Sequence, residues 1–88
     1  MEIVYTDKSL EDLEYWKKSG NSSIRHKISN LIAAIQQDPF QGIGKPERLR
    51  HHLSGCWSRR INKEHRIIYK VNDNEIIILA LRFHYDLF

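Results

Sequence analysis

The sequence predicts an α+β domain in which an N-terminal strand and two helices precede an antiparallel β-meander, with the helices packed on one sheet face. Two observations predict this class. Apolar residues recur at helical spacing before residue 38, and short β-branched and aromatic segments separated by turn residues follow residue 48. Helices followed by a run of strands are typical of α+β folds. A chain of 88 residues predicts one small domain over residues 1–88.

The N-terminal part of the chain predicts one strand and one helix. Glu2–Tyr5 is β-branched and aromatic, which is typical of a strand. Ser9, with Asp12 three residues later, resembles a capping box and predicts the start of the first helix. Gly20 is the expected end of that helix, because glycine readily adopts the left-handed conformation that ends helices.

The second helix has the clearest pattern in the chain. Asn21 or Ser22 can cap its start, and Asp38-Pro39 ends it. Its apolar residues form one stripe at helical spacing: Ile24, Ile28, Leu31, Ile32 and Ile35. This stripe predicts a helix that packs on the sheet.

A loop and four strand-like segments make up the second half of the chain. Residues 40–47 include Gly42, Gly44 and Pro46, which predict the loop. The strand-like segments are Leu49–Leu53, Trp57–Ile61, Arg66–Val71 and Glu75–Phe83. The separators between them predict hairpin turns: Ser54-Gly55, Asn62-Lys63-Glu64 and Asn72-Asp73-Asn74.

The alternation of strand residues predicts an opposed pair of like charges. If Asn62–Glu64 forms a three-residue turn, Ile61 pairs with His65 and Arg60 lies directly opposite Arg66. Opposed like charges on one sheet face destabilise a fold by roughly 0.2–1 kcal/mol. A phosphate bound between the two guanidinium groups would reverse the sign of the interaction, so the pair predicts an anion site.

The positive charge of the chain is concentrated in its second half. Residues 1–44 hold five basic and six acidic side chains, a net charge of −1. Residues 45–88 hold nine basic and five acidic side chains, a net charge of +4, and the two halves sum to the net charge of +3. Such an asymmetry directs one face of a protein at an anionic partner, either a nucleic acid or an acidic protein.

The composition disfavours other classes of protein. With 41% hydrophobic and 28% charged residues, the chain has the composition of a folded globular protein and not of a disordered one. We expect no membrane span and no signal peptide, because no apolar run is long enough. Cys56 is the single cysteine, which fits the reducing cytoplasm.

Two residues are candidates for acid–base chemistry. Glu47 lies on a proline-stiffened loop and could act as a general base, although Lys45, Arg48 and Arg50 nearby would stabilise its carboxylate and weaken it as a base. An ordinary surface glutamate fits the same position. His84 could act as a general acid, because imidazole carries a transferable proton near neutrality. A surface or packing role fits this histidine equally.

Three arginines are candidates for phosphate contacts: Arg60, Arg66 and Arg82. Their guanidinium forks match phosphate oxygens, but a solvated sheet face fits the same pattern. Tyr85 and Phe83 could stack on a base. Of the two we expect Phe83 to close the core instead, and we also expect Trp16 to be a core residue.

The chain lacks the patterns of common metal and nucleotide sites. His51, His52 and Cys56 indicate zinc only weakly, because no second cluster completes four ligands. There is no carboxylate cluster for Mg²⁺ and no phosphate-binding Gly-Lys-Ser/Thr loop. A nuclease here is therefore expected to need no metal or cofactor. RNA permits this, because its own 2′-OH can attack the adjacent phosphate.

Several linked motifs run through the chain: Pro39-Phe40-x-Gly42-x-Gly44-Lys45-Pro46-Glu47-x-Leu49, then Leu53-Ser54-Gly55-x-Trp57-Ser58-Arg59-Arg60-Ile61, then Glu64-His65-Arg66-x-x-Tyr69, and finally Arg82-x-His84-Tyr85. With the Tyr15-Trp16 pair, they resemble the YoeB/Txe family, toxins of bacterial toxin–antitoxin pairs within the RelE/ParE superfamily. The similarity runs essentially end to end. Members often end at or just after the His-Tyr pair, whereas this chain continues with Asp86-Leu87-Phe88.

The resemblance implies a RelE-like microbial RNase fold and a ribosome-dependent endonuclease that cuts mRNA in the ribosomal A site. It implies that Glu47 is the general base on the 2′-OH and that His84 is the general acid for the 5′-oxygen. Arg66 would stabilise the pentavalent phosphate, with Arg60 assisting.

The resemblance also implies further contacts and partners. Tyr85 would help position the nucleotide, and Lys45 and Arg50 would contact messenger RNA or 16S ribosomal RNA. A homodimer is implied, as is an acidic antitoxin of the YefM/Axe type. The C-terminal segment of that antitoxin would wrap the toxin and disturb its active site.

Two other function classes fit parts of the sequence. A ParE-like relative that inhibits a protein such as gyrase needs no acid–base pair, so the joint presence of Glu47, Arg66 and His84 disfavours it. A passive basic RNA-binding module would bind RNA with a steep salt dependence and leave it uncut.

Overall fold

The computed structural model describes residues 1–83, in which two helices pack against one face of a mixed five-stranded sheet. The elements in chain order are β1 (Glu2–Tyr5), α1 (Asp7–Ser19), α2 (Ser22–Gln37), β2 (Glu47–Arg48), β3 (Trp57–Arg60), β4 (Arg66–Val71) and β5 (Glu75–Phe83). Neither helix in this part of the chain is long and apolar enough to cross a membrane.

The sheet confirms the predicted α+β class and adds one parallel pair of strands. Strands β2 to β5 form the predicted antiparallel meander, and the spatial order is β1-β5-β4-β3-β2. Strand β1 runs parallel to β5, with Glu2 opposite Glu75 and Tyr5 opposite Ile78. The first strand of the chain therefore pairs with the last described one.

Helix α1 begins earlier than predicted, and the prediction that Ser9 caps it is wrong. Thr6 is the cap, and its Oγ1 accepts a hydrogen bond from the Ser9 N–H at 3.2 Å. The same hydroxyl donates to the Ile78 carbonyl at 3.1 Å, so one side chain both starts the helix and ties it to β5. Gly20 ends the helix as predicted, with φ of 73°.

Polar side chains of α1 hold the helix on β5. The buried Trp16 donates from Nε1 to the Leu81 carbonyl at 2.8 Å, and Asp12 Oδ2 accepts from the Leu81 N–H at 2.9 Å. Asp12 Oδ1 also accepts from Lys8 at 2.6 Å. The β4–β5 register shifts close to Leu81, where a bulge leaves strand groups without ladder partners. Helix α1 thus satisfies the backbone groups that the bulge exposes.

Helix α2 matches its prediction closely. Asn21 caps it, with Oδ1 accepting from the Ile24 N–H at 3.1 Å. Within the apolar stripe, Ile28, Leu31 and Ile35 are buried, and the other two isoleucines pack at the border of the core.

Two apolar clusters form in the described part of the chain. The main core lies between the helices and the sheet: Trp16, Ile28, Leu31, Ile35, Ile61, Ile67, Tyr69, Ile76, Ile78 and Leu81. A smaller cluster, here called the second core, lies on the other sheet face under residues 49–56: Leu49, Cys56, Ile68, Ala80 and Phe83. The predictions that Trp16 and Phe83 are core residues are confirmed.

The predicted strand at Leu49–Leu53 is wrong. Sheet pairing here is limited to β2, and His51–Leu53 forms a short 3₁₀ turn in which His51 has φ of 59°, far from strand geometry. The Leu49 N–H donates to the Cys56 carbonyl at 3.0 Å. That bond closes a hairpin whose loop is residues 50–55, so the apolar Leu49 and Leu53 reach the second core from a loop.

Replacing Asp12 with alanine tests the attachment of α1 to β5. Asp12→Ala leaves the buried Leu81 N–H without its acceptor, so we expect the free energy of unfolding to fall by about 2 kcal/mol. Urea denaturation measures this loss. The control is Glu11→Ala, an exposed neighbour on the same helix, which should change stability by no more than about 0.5 kcal/mol. Similar losses in both variants would contradict a specific role for the buried carboxylate.

Candidate active site

The meander brings Glu47, Arg60 and Arg66 to one face of the sheet. Arg60 lies opposite Arg66, as the length of the turn predicted. Glu47, which was expected on a loop, lies in β2 opposite Ser58. Residues that oppose one another, or that lie two apart in a strand, share a face. The alternate face of β3 and β4 carries main-core residues under the helices, so these three side chains emerge on the face that the helices leave open.

The strand register sets the spacing of the three charges. The Arg60 N–H donates to the Gly44 carbonyl at 2.7 Å, on the side away from β4. The Arg60–Arg66 pair is therefore of the non-hydrogen-bonded type, with Cα atoms about 4.5 Å apart. Glu47 is the diagonal neighbour of Arg60, at about 7–8 Å. Glu47 and Arg60 are exposed, and Arg66 is half-buried.

Lys45 and Arg50 extend the positive charge on either side of β2. Both side chains are exposed. Lys45 itself has φ of 51°, and the residue after Arg50, His51, has φ of 59°. Left-handed backbone costs a non-glycine residue roughly 1–2 kcal/mol, so the loops at both ends of β2 are held in place by their surroundings.

Of the remaining predicted site residues, Arg82 is described by the structure, and it lies apart from the other three charges. The Arg82 guanidinium carbon lies 3.6 Å from the centre of the Tyr15 ring of α1, a cation–π contact on the helix side of the sheet. His84 and Tyr85 lie outside the described residues. The last described residue, Phe83, pairs with Arg66.

Arg59 is a residue that the sequence patterns did not single out. Its side chain is fully buried, with 0% exposure. Nε donates to the Tyr69 hydroxyl at 3.2 Å and Nη1 to the Ile43 carbonyl at 3.1 Å. Nη2 donates to the carbonyls of Asp38, at 2.5 Å, and Gln41, at 3.0 Å. A buried guanidinium thus binds the backbone of the loop that leads to Glu47.

Tyr69 completes this arrangement from the neighbouring strand. Its hydroxyl accepts from Arg59 and donates to the Pro39 carbonyl at 2.6 Å. Burial raises the pKa of the Tyr69 phenol above its ordinary value of 10.0, although the hydrogen bond from Arg59 lowers it in part. The phenol therefore stays protonated and keeps its donor role across the neutral range.

The alternation of residues along β3 could have indicated from the sequence that Arg59 is buried. Arg59 lies on the same face of the sheet as Trp57 and Ile61, because these residues are two apart in sequence. It pairs with the buried Ile67. An arginine in an otherwise apolar alternation indicates a buried guanidinium whose hydrogen bonds are met inside the fold.

Gly44 lets the loop pass close to Arg59. Its φ is 83°, and a Cβ atom there would lie 2.7 Å from Leu31 Cδ2 and 3.1 Å from Arg59 Cβ. Both the conformation and the space therefore require glycine. This close approach puts the Gly44 carbonyl against the Arg60 N–H, directly before Lys45.

The weak zinc pattern gains no support from the fold. Cys56 is buried in the second core, while His51 and His52 are exposed on the 3₁₀ turn. Across residues 1–83, no group of three His, Cys, Asp or Glu side chains is placed to hold a metal ion.

Known proteins resemble this chain over nearly its whole length. Residues 5–85 match the family described as YoeB-like toxin of bacterial type II toxin-antitoxin system. Toxin YoeB of Escherichia coli (strain K12) is 44% identical over 85 residues, which cover 97% of this chain and 100% of that protein. Toxin YoeB of Synechocystis sp. is 47% identical over 86 residues, 98% of this chain and 99% of that protein.

Solved structures show the same likeness. The YoeB/ParE toxin from Agrobacterium tumefaciens superposes with a TM-score of 0.91 at 39% identity, covering 97% of this chain and 100% of that one. The heterotetrameric YoeB-YefM complex from Staphylococcus aureus matches with a TM-score of 0.86 at 38% sequence identity. The YoeB dimer from the same organism matches with a TM-score of 0.87 at 38% identity. Each match covers 97% of this chain and 98% of the other. YafQ from E. coli strain BL21(DE3), at 18% identity and a TM-score of 0.81, shares the fold.

Adding one methyl group at Gly44 tests the close packing of the loop. Gly44→Ala meets both backbone strain and contact with Leu31, so we expect the free energy of unfolding to fall by about 3 kcal/mol. Gly20→Ala is the control, because Gly20 has φ of 73° and nothing within 4 Å of a Cβ. It should lose only about 1 kcal/mol. Equal losses would mean that backbone conformation alone requires Gly44.

The raised pKa of Tyr69 predicts the direction of a pH effect. Since the folded pKa lies above the unfolded value of 10.0, the stabilisation is complete below pH 10 and is lost as the pH rises through the folded pKa. The free energy of unfolding should fall less between pH 9 and 11 in Tyr69→Phe than in the unsubstituted protein. Chemical denaturation across that range measures the two slopes, and parallel slopes would contradict the assignment.

Proposed function

The chain belongs to the family of YoeB-like toxins of bacterial type II toxin–antitoxin systems, and from this premise we propose that it is a ribosome-dependent mRNA endonuclease. It would cut mRNA in the ribosomal A site by attack of a 2′-OH on the adjacent phosphodiester, without a metal ion. The observation that carries the proposal is the Arg60–Arg66 pair on the open sheet face, diagonal to Glu47.

The opposed arginines would bind the scissile phosphate. In isolation they repel each other, and an anion between them turns the repulsion into two attractions. Guanidinium forks bind phosphate oxygens through paired hydrogen bonds. The phosphate gains negative charge in the pentavalent transition state, so Arg66 and Arg60 would bind that state more strongly than the substrate. This difference in binding accelerates the cleavage.

Glu47 would act as the general base. Its carboxylate emerges on the same face as the arginines and is exposed. It would take the proton of the 2′-OH as that oxygen forms its bond to phosphorus. The short strand β2 holds Glu47 opposite Ser58, so the base is carried by the sheet and not by a free loop.

His84 would act as the general acid, an assignment that comes from the family resemblance. It would give a proton to the 5′-oxygen as the bond between phosphorus and that oxygen breaks. One proton is taken and one is given, which leaves a 2′,3′-cyclic phosphate and a free 5′-hydroxyl. Tyr85 would help position the nucleotide. Both residues follow Phe83, which pairs with Arg66.

Basic residues around the site would hold RNA outside the scissile bond. Lys45 and Arg50, exposed on either side of β2, would contact messenger RNA or 16S ribosomal RNA. Arg82 would contact RNA from the helix side, where it lies over Tyr15. Binding through such contacts weakens as salt concentration rises.

We also propose partners for this toxin. Relatives from Staphylococcus aureus have been solved as a YoeB dimer and in a heterotetrameric YoeB-YefM complex. By analogy this chain would form a homodimer and be neutralised by an acidic antitoxin of the YefM type. The net charge of +3 favours an acidic partner. Since its substrate would be mRNA on ribosomes, the toxin would act in the cytoplasm.

Substitution of the three catalytic candidates tests the proposed reaction. Glu47→Gln, Arg66→Ala and His84→Gln should each reduce cleavage of ribosome-bound mRNA by about 100-fold or more and relieve growth arrest, since each removes a proton transfer or charge stabilisation. Mapping of mRNA 5′ ends after brief induction measures cleavage in cells, and circular dichroism checks folding.

Glu64→Gln is the control for these substitutions, because Glu64 is exposed on the turn before β4 and should not affect cleavage. Full toxicity in all three catalytic variants would rule out the assignment. Intact mRNA together with relaxed or cleaved DNA after induction would favour a gyrase inhibitor instead.

A further inference from the structure

The loop between α2 and β2 is shaped by a single buried side chain. Within residues 38–43, the carbonyls of Asp38, Gln41 and Ile43 accept hydrogen bonds from the Arg59 guanidinium. The Pro39 carbonyl accepts from Tyr69, whose hydroxyl also accepts from Arg59. An irregular segment is therefore bound at four backbone positions to one pair of side chains, here called the Arg59–Tyr69 clamp.

The clamp cannot bind RNA directly. Arg59 and Tyr69 are both fully buried, at 0% exposure, on the face that the helices cover. A buried cation is costly to the fold unless its donors are satisfied. Because its acceptors are mostly backbone carbonyls, any shift of the loop would leave part of the guanidinium unsatisfied. The loop is thereby held in one conformation.

The clamp is connected to Glu47 through strand β3. Arg59 lies between Ser58, which pairs with Glu47, and Arg60, whose N–H donates to Gly44 at 2.7 Å. After Gly44 only two residues precede Glu47, and Pro46 is one of them, with a fixed φ. The path of the chain from the clamp to the carboxylate therefore has little freedom.

We propose that Arg59, braced by Tyr69, is a positioning residue for Glu47. This inference rests on the function proposed above. Arg59 contacts neither substrate nor reacting atoms; it fixes the loop on the covered face so that the carboxylate stands correctly beside Arg60 on the open face. Misplacing a reacting group by about 1 Å can cost about 100-fold in rate, so a loosened clamp should affect the chemical step most.

The first test separates rate from binding. Arg59→Lys keeps the charge but replaces the guanidinium fork by one ammonium group, which cannot span three carbonyls and a phenol. We expect kcat for cleavage of ribosome-bound mRNA to fall about 100-fold with KM nearly unchanged. Tyr69→Phe should give a smaller loss in kcat. The matched control is Arg25→Lys, at an exposed arginine of α2 with no assigned role in the reaction, which should keep the unsubstituted kcat.

A double-mutant cycle then distinguishes positioning from general damage. If Arg59 acts through Glu47, adding Arg59→Lys to Glu47→Gln should reduce kcat no more than about 3-fold further, because the misplaced base is already absent. If the fold-losses in kcat of Arg59→Lys and Glu47→Gln multiply in the double variant, the proposal is wrong. It is also wrong if kcat is unchanged in both clamp variants, Arg59→Lys and Tyr69→Phe. Should Arg59→Lys fail to fold, Tyr69→Phe takes its place in the same cycle.

A measurement without RNA keeps this proposal separate from the proposed reaction. Amide hydrogen exchange should speed up within residues 40–47 in Arg59→Lys, while the amides of β4 keep the protection that they have in the unsubstituted protein. Unchanged exchange in the loop would overturn the clamp. If the unsubstituted protein cleaves no mRNA but the loop exchanges faster in the variant, the proposed reaction is wrong and the clamp stands as a feature of the fold.

Discussion

The candidate site depends on one buried guanidinium, because the hydrogen-bond donors of a buried cation must find acceptors inside the fold. Moving a cation out of water costs several kcal/mol, and hydrogen bonds to a charged group return about 1.5–3 kcal/mol each. In the described part of the chain, Arg59 donates four such bonds, three of them to backbone carbonyls. The carboxylate of Asp38 accepts instead from the Phe40 N–H. Because the acceptors are backbone, the guanidinium determines the path of the chain itself.

The alternation of side chains along β3 puts a structural arginine on one face of the sheet and a proposed phosphate-binding arginine on the other. Its two neighbouring arginines point to opposite faces, Arg59 into the main core and Arg60 into solvent. The helices cover only one sheet face, and the second core covers part of the other. Among residues 1–83, Arg60 opposes Arg66 on this second face, next to the second core. The opposed arginines therefore share their face with the second core, while the main core packs on the opposite face of the same strands.

Local patterns in the sequence were enough to predict part of this fold. The stripe of α2 and the opposition of Arg60 and Arg66 follow from residue spacing and from the length of one turn. Contacts between distant segments were not predictable in this way: the parallel β1–β5 pair, and the loop carbonyls that accept from Arg59. Thr6 and not Ser9 caps α1 because Thr6 also bonds to β5, a contact that no local pattern contains.

The candidate site was predictable to a similar degree. Strand alternation alone places the arginines on one face, whereas the roles of Glu47 and His84 come from the family resemblance. Spacing alone left a surface glutamate and a surface histidine as equally good interpretations. Chemistry that depends on a bound RNA leaves no periodicity in the chain, so residue patterns could locate the anion site but not name its reaction.

The parallel pairing of β1 with β5 has a consequence for when this protein can become active. Glu2 pairs with Glu75, a separation of 73 residues, and α1 is anchored on Leu81 of the same late strand. Closing contacts so distant in sequence is slow, and it cannot begin before the late strand exists. During its own synthesis the nascent chain therefore lacks a finished sheet until Glu75–Phe83 has been made. On the function proposed above, the nascent chain would remain inactive toward mRNA until β5 has been made and has paired with β1.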